Sequence, residues 1–470
     1  MRSKALWLAR KRLRPDARTI SAKLSESSGS FSRSFSWFRR VKTAVADILT
    51  GDDHINPKKL LERRYIYLAL LASRYRQARI DFPDDSDDNH HDIAVSQLEA
   101  EDVVGMSNVI LRKALQDTLH PQVIDIFQTF AKVDHILAID LEDKSDDQDD
   151  GKALSNRLDD LDWERYVKIL QKEYKKTFRD KEKTLLQPGT KQERELAFLK
   201  RKQGALECLL NFHGAATFAS TCSSDSDAFG LELGANLSHN GLTQIRQYQS
   251  LNMCRSALIR EELGFSVVSF RSLIPGAGRG AFVDGNALAG SILAFQPGDV
   301  WPKEHLLTSA PDVIEHFAGE DDCHVSLRFD DYVVDSRQSP VTVLTREGSM
   351  NPWAIGHMAN HPPSKTQPNV QSTMLNFTER MNMAENDLFR YLPNTYARLP
   401  SWRSRVFEAE EVVMHGLCLL SKRDVSNEEL VYDYRLQSET TPDWYSVVRH
   451  DDTLDDEQVV FFREDWKENK

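Results

Sequence analysis

Three things are scarce in this chain, and each scarcity excludes a class of protein. Cysteine is the first: there are five in 470 residues, Cys208, Cys222, Cys254, Cys323 and Cys418. None forms a Cys-x-x-Cys pair, and no Cys/His cluster has zinc-ligand spacing, which excludes a structural zinc module and a metal centre of that kind. An odd set of scattered thiols reads as reduced and intracellular rather than as a disulfide framework. Long apolar runs are also missing. The longest in the N-terminal half runs from about Tyr65 to Ala72, far short of the roughly 20 residues a membrane span needs. Positive charge is the third: 60 Lys/Arg stand against 72 Asp/Glu, a formal charge of -12. Such a chain is not built to wrap a nucleic-acid backbone, so no direct nucleic-acid partner is expected. The acidic surplus suits solubility, and it also suits a basic partner such as a lysine-rich peptide.

What is present begins with a strongly uneven charge distribution. Met1–Lys42 carries twelve Lys/Arg and two acids, Asp16 and Glu26, a balance of +10 that leaves -22 for the rest. The stretch is also Ser-rich. On a helix, Leu6, Trp7, Leu13 and Ala17 share a flank, with Arg10, Lys11 and Arg14 beside or opposite them. That pattern reads as a mitochondrial transit peptide. It reads equally as a basic tail, a nuclear address or a nucleic-acid arm, so mitochondrial, nuclear and cytoplasmic locations all stay open.

A length of 470 residues with 40% hydrophobic content suggests two or three domains with real cores. Pro57–Arg79 has helical spacing at Leu60, Leu61, Tyr65, Leu68 and Leu71. An acidic linker follows over Asp81–Asp92, where His90-His91 among aspartates reads as a solvated loop rather than a metal site. A second helical block spans Ala94 to about Asp140, and a third spans Trp163–Phe212, broken near Pro188-Gly189. From about Gly264 the texture changes to short β-like runs at Phe265–Phe270, Ser291–Phe295, Tyr332–Val334 and Val412–Leu420, separated by Gly, Pro, Asn and Asp. The expected class is α+β, a mainly helical N-terminal region followed by a β-rich C-terminal domain. A dinucleotide-binding sheet is excluded, because the strands do not alternate with helices. The divisions are a leader over 1–45, helices with acidic linkers over 55–215, a linker and lead-in over 216–262, the β-rich domain over 263–436, and a tail over 437–470.

Three separated segments carry chemistry. The first is Gly276-Ala277-Gly278-Arg279-Gly280-Ala281-Phe282, whose glycines let backbone approach a bulky ligand; a plain glycine turn between strands is the alternative. The second is Asn351-Pro352-Trp353-Ala354-Ile355-Gly356-His357-Met358-Ala359-Asn360-His361-Pro362-Pro363. Asn360 offers both a donor and an acceptor, and the two prolines stop any helix and favour an extended exit. The third runs from Leu419 to Tyr434, through Asn427-Glu428-Glu429-Leu430-Val431-Tyr432-Asp433-Tyr434. In an extended chain Tyr432 and Tyr434 face the same side, and as β-formers they are equally ordinary strand aromatics.

In this order and spacing the three segments resemble the signature of SET-domain protein lysine methyltransferases, over about Leu263–Leu436. Leu263-Gly264-Phe265-Ser266-Val267, Asn351-Pro352-Trp353-Ala354-Ile355-Gly356 and Tyr391-Leu392-Pro393-Asn394 look like the branch of that family typified by SET domain-containing protein nine. The resemblance implies small curved sheets of the β-clip kind around a knot-like core, in which the Asn-His segment is threaded by the C-terminal aromatic segment. It implies S-adenosylmethionine as methyl donor and, as partner, a protein substrate bearing a lysine, histone or not. It implies that Gly276, Gly278, Arg279 and Gly280 hold the donor's methionine end or ribose, that Asn360 bonds the donor, and that the His361 backbone meets its adenine. Tyr434 becomes the active-site tyrosine, and Tyr432 the aromatic that limits how many methyl groups fit.

The sequence departs from the family at Pro362-Pro363, where Ser-Cys is usual, and at Asn427, where a turn glycine is usual. Asn tolerates a left-handed backbone. No Cys-rich segment follows, so Trp444 and Tyr445 are candidates to pack over that end, generic hydrophobic anchoring being the equal alternative. A substrate amine held about 4 Å from a cationic donor has its ammonium form disfavoured by roughly 4 kcal/mol at an effective dielectric near 20. That lowers the ordinary lysine value of about 10.4 by roughly three units, so no strong general base is required. The other reading is a catalytically inactive module of the same fold that serves binding or assembly. Oligomeric state, target lysine and degree of methylation are not written in the sequence.

Overall fold

Leu111, Leu115, Leu119, Val123, Phe127 and Phe130 recur at three- and four-residue intervals, which places them on one side of a helix. In the computed structural model that side is the buried spine of the molecule. The structure describes residues 57–83, 90, 93–94, 96–98, 106–137, 162–185, 190–214, 239–307, 316, 324–337, 351–364, 366–385, 387–400, 412–435 and 445. The basic leader, the acidic segment over Glu142–Asp150, the Ser/Asp-rich stretch over Ser220–Asp227, and Trp444 lie outside them.

Five long helices come first: α1 (Pro57–Asp81), α2 (Asn108–Ile136), α3 (Trp163–Thr184), α4 (Thr190–Gly214) and α5 (His239–Leu263). The Ser107 side chain accepts from the Ile110 N–H at the start of α2, and Asp162 accepts from the Arg165 N–H at the start of α3. Each cap satisfies a donor that the first turn leaves without a helical partner. Residues 93–94 and 96–98 are helical too, as expected of a block starting near Ala94, and α2 itself starts after Ser107. The 216–262 lead-in ends in a 25-residue helix, α5. Its buried side mixes Leu251, Cys254 and Ile259 with Arg255 and Arg260. Those charged residues break the apolar period in the sequence, and each is paired inside: Arg255 forks onto Asp134 at 2.7 and 2.9 Å. His90 is buried rather than solvated. Its Nε2 lies 2.7 Å from the Phe82 carbonyl and its ring meets Tyr75 edge-on.

The strands follow: β1 (Phe265–Arg271), β2 (Arg279–Ala287), β3 (Ile292–Phe295), β4 (Gly298–Trp301), a short helix α6 (Lys303–Leu307), β5 (Val325–Leu327), β6 (Val333–Asp335), β7 (Val370–Thr378), β8 (Asn394–Tyr396), β9 (Val412–Ser421) and β10 (Val425–Ser426). They form three small sheets, ordered β1-β2-β10, β3-β9-β7 and β5-β6-β4-β8. The class is thus α+β, helical in its N-terminal part and strand-rich in its C-terminal part. Among the described residues no helix is long and apolar enough to cross a membrane.

One helix seals both edges of the central sheet. In the order β3-β9-β7 the outer strands have unpaired backbone groups, which must find partners when buried. Gln122 on α2 donates to the Gly290 carbonyl at 3.1 Å and accepts from the Ile292 N–H at 3.2 Å, on the β3 edge. Gln116 donates to the Met374 carbonyl at 3.0 Å and accepts from the Asn376 N–H at 2.7 Å, on the β7 edge. The two amides act as short pieces of strand, and the Phe127 ring packs between Phe295 and Phe377 below them.

Candidate active site

The Asn351–Asn360 segment is held from its apolar end. Trp353 is fully buried; its ring stacks on Phe265 and meets Phe130 edge-on, and its indole N–H lies 3.3 Å from the Ser266 hydroxyl. The Trp353 carbonyl accepts from the Phe295 N–H at 2.9 Å. Asn-Pro-Trp in this stretch is therefore an anchor that delivers the residues after it. A single 3-10 turn at Gly356–Met358 follows, and Asn360 emerges in extended backbone beside Val431.

Asn360 is the point where the three motif segments meet. Its amide donates to the Arg279 carbonyl at 2.8 Å and to Glu429 Oε1 at 2.9 Å. Its own carbonyl accepts from the Tyr432 N–H at 3.0 Å. Both amide hydrogens are thus used within the protein, and Oδ1 is left as the atom that can accept from a ligand. Nine residues further on, Asn369 grips the same segment from the other side: it donates to the Glu429 carbonyl at 2.8 Å and accepts from the Val431 N–H at 2.9 Å. Residues 430–432 therefore run between Asn360 and Asn369.

Glu429 ties down the glycine loop. Its carboxylate accepts from the Ser272 hydroxyl at 2.6 Å and from the Leu273 N–H at 2.7 Å. Gly280 stands in β2 where a Cβ would sit 2.3 Å from Glu429 Oε1, so a glycine is required by close approach. Gly276 and Gly278 form the loop itself, at φ +79° and +69°, and a Cβ on either would point into open space. Left-handed backbone favours glycine at both. Asn427 takes φ +46° in the turn before the aromatic segment, as its tolerance of that region allows.

Two groups beside this junction are short of partners, Arg279, which is half-buried, and His357, which is buried. The Arg279 guanidinium has one hydrogen bond, from Nε to the Ser269 hydroxyl at 3.1 Å, and no carboxylate among the described residues. Burial pushes its pKa down to about 10. His357 is 4% exposed, and neither ring nitrogen has a hydrogen-bond partner among the described residues. Burial, and then the neighbouring His324 and Arg279, pushes it down to about 3, so the ring is neutral. A buried unpartnered polar group in a native fold calls for an explanation in water, ion or ligand.

The aromatic end is equally connected. The Tyr434 hydroxyl donates to the Ala359 carbonyl at 3.0 Å, and its ring lies 4.9 Å from that of Tyr432 and 5.5 Å from that of His361. The shared side expected for two residues two apart is therefore present. Burial raises the Tyr432 phenol to about 12, which keeps it protonated. His361 is buried, with Tyr445 stacked on it at 4.3 Å, and the Tyr445 hydroxyl lies 3.2 Å from Asp433 Oδ1. Tyr445 thus packs on the Asn-His segment. Gly276, Gly278, Arg279, Gly280, Asn360, His361, Tyr432 and Tyr434 all belong to one connected region.

Glu429, Asn369 and His357 are the residues whose part the sequence did not announce. Glu429 belongs to the third motif segment but had no role assigned there, and its partners lie 69 and 157 residues away. Among the described residues no group of three His, Cys, Asp or Glu could hold a metal ion. No family model matches the chain, and no curated protein matches it.

Proposed function

We propose that this protein transfers a methyl group from S-adenosylmethionine to the amine of a lysine in a protein substrate, in the manner of the SET-domain family its motifs resemble. The observation that carries the reading is the junction at Asn360: one side chain bonds the first residue of β2 and the segment after β10, while the Tyr434 hydroxyl bonds the residue next to it. The passage of residues 430–432 between Asn360 and Asn369 supports the knot-like core of that family.

The residues present fit the donor. Its methionine end is a zwitterion, and the region offers an acceptor at Asn360 Oδ1 and a half-buried guanidinium at Arg279 that no carboxylate neutralises among the described residues. His357 adds a neutral ring whose two nitrogens have no partner among the described residues. Gly276 and Gly278 leave space above the backbone for a large ligand. When bound, S-adenosylmethionine supplies a methyl group activated by the positive charge on sulfur. The chain's own contribution is to orient the substrate amine and the moving methyl by Tyr434 and Tyr432, which act as dipoles rather than bases. A tyrosine at position 432 leaves less room beside the amine than a phenylalanine would, which favours monomethylation. The substrate is an intracellular protein, and the Met1–Lys42 leader puts the mitochondrion among its compartments beside the nucleus and cytoplasm.

Calorimetric titration with S-adenosylhomocysteine, followed by mass spectrometry of peptide arrays given isotope-labelled donor, tests the proposal. Micromolar binding and labelled lysine are expected. Tyr434→Phe should cut transfer at least tenfold while leaving product affinity within a factor of two. Absence of binding by the unaltered chain overturns the reading, and binding with no transfer to any lysine leaves the inactive module in its place.

A further inference from the structure

Outside the resembled segment, one side chain of the helical region reaches the end of the aromatic run. Tyr65 on α1 lies directly beneath Arg435, whose guanidinium carbon stands 3.5 Å from the Tyr65 ring centroid. Phe329 flanks the same guanidinium at 5.7 Å, and the two rings are 6.2 Å apart. Arg435 forms no salt bridge among the described residues, and its Nε is buried without a hydrogen-bond partner. The cation is therefore held chiefly by aromatic faces, which attract it through the ring quadrupole. Tyr65 is itself fixed, because its carbonyl accepts from Gln371 on β7 at 3.2 Å.

The backbone at Arg435 needs such a hold. Its φ is +53°, a left-handed conformation that L side chains rarely adopt. Its N–H donates to Asp433 Oδ1 at 2.9 Å, closing a tight turn directly after Tyr434. Released from Tyr65, Arg435 has every reason to relax to an ordinary conformation and to carry Tyr434 with it. We propose that Tyr65 is a positioning residue for the methyl transfer, fixing the Tyr432–Tyr434 segment through the Arg435 guanidinium. This rests on the activity proposed above, and it makes α1 part of the working enzyme rather than an appended helix.

Hydrogen exchange of the full-length protein, read by mass spectrometry or NMR, tests the hold without donor or substrate. In Tyr65→Leu, exchange at the amides of residues 432–435 should rise at least tenfold while α1 and β7 stay protected. Tyr65→Phe, which keeps the aromatic face, should restore protection. Arg435→Gln removes the cation with α1 untouched and should reproduce the Leu result at residues 432–434. In transfer assays Tyr65→Leu should lower kcat about tenfold with unchanged affinity for S-adenosylhomocysteine, and Tyr65→Phe should recover it. Unchanged exchange in Arg435→Gln, or an increase in Tyr65→Leu spread evenly over α1 and β7, overturns the proposal. A chain that shows the exchange pattern and transfers no methyl group overturns the activity instead.

Discussion

Asn360 and Glu429 are 69 residues apart in sequence and 2.9 Å apart in space, and that hydrogen bond is the seam of the candidate site. The same carboxylate takes the Ser272 hydroxyl and the Leu273 N–H, so one acidic side chain fixes the glycine loop, the asparagine and its own aromatic segment. Gly280 lies against it with no room for a Cβ. Gly280→Ala should therefore displace the carboxylate and strip its donors, a loss of about 1–3 kcal/mol, together with most of the affinity for S-adenosylhomocysteine. Gly276→Ala meets no atom and pays only for its left-handed backbone, about 1 kcal/mol. Denaturant melts of the two variants check this. Equal losses would mean that Glu429 is free to move and is not the seam.

How much of this was legible beforehand depends on the range of the interactions. Helices α1, α3 and α4 follow from local apolar spacing, and the break at Pro188-Gly189 falls between α3 and α4. Strands β1, β3, β6 and β9 follow from short β-branched and aromatic runs. Strand β2 begins inside a segment that reads as a ligand-approaching glycine loop or a glycine turn between strands, since Arg279-Gly280-Ala281 has poor strand propensity; pairing with β1 over Arg271↔Arg279 to Phe265↔Gly285 imposes it. Helix α5 was hidden by arginines whose carboxylate partners lie on other elements. The motif residues themselves were readable, because their types and spacing carry the resemblance. Glu429 and Asn369 stand in those motifs too, but their part as clamps is not readable, because nothing local marks a side chain whose partners arrive from elsewhere in the chain.

The helix α2 seals its sheet with two glutamines, and that can be tested directly. Gln122→Leu keeps the volume but leaves the Gly290 carbonyl and the Ile292 N–H without partners. Orphaning two buried backbone groups should destabilise the protein by roughly 2–5 kcal/mol. Gln116→Leu should do the same at the β7 edge, and the two losses should add, since they act on opposite edges. A loss under 0.5 kcal/mol in either variant would show that water replaces the amide.

His357 predicts a pH signature. Its folded pKa, about 3, lies below the unfolded histidine value of about 6.5. A base with a depressed folded value stabilises the protein above the unfolded pKa, and that stability is lost as pH falls toward the folded one. Between pH 6.5 and 5 the unfolded chain takes up a proton that the folded chain refuses, so stability should drop by about 2 kcal/mol over that interval. His357→Leu should flatten the interval by one proton and should be no less stable at pH 8, because it replaces an unpartnered polar ring by an apolar group. Urea melts at half-unit pH steps give the slope; an unaltered slope in the variant would mean that His357 is solvated and titrates normally.

The most consequential prediction concerns the boundary between helices and strands. Lys202 on α4 bonds Glu173 on α3 at 2.5 Å and Asp284 on β2 at 2.6 Å, and Arg260 on α5 bonds the same two acids at 2.6–2.8 Å. All four side chains are buried and their charges cancel. Burial alone would raise the Asp284 carboxyl; Lys202 and then Arg260 override it and hold it below the ordinary range. That contribution is present above the unfolded carboxyl value of about 3.9 and is lost as pH falls below it. Lys202→Met leaves two buried carboxylates on one guanidinium and should cost about 3–5 kcal/mol. A fragment of residues 263–436 goes further, since it retains Asp284 and loses both cations with the helices that carry them. It should therefore fail to fold alone, whereas the longer chain should melt in one cooperative transition shared by helices and strands. Calorimetry of both decides it: a cooperative transition in the fragment would mean that the strand-rich part tolerates Asp284 without its partners, and that the helices are dispensable to the fold of the candidate site.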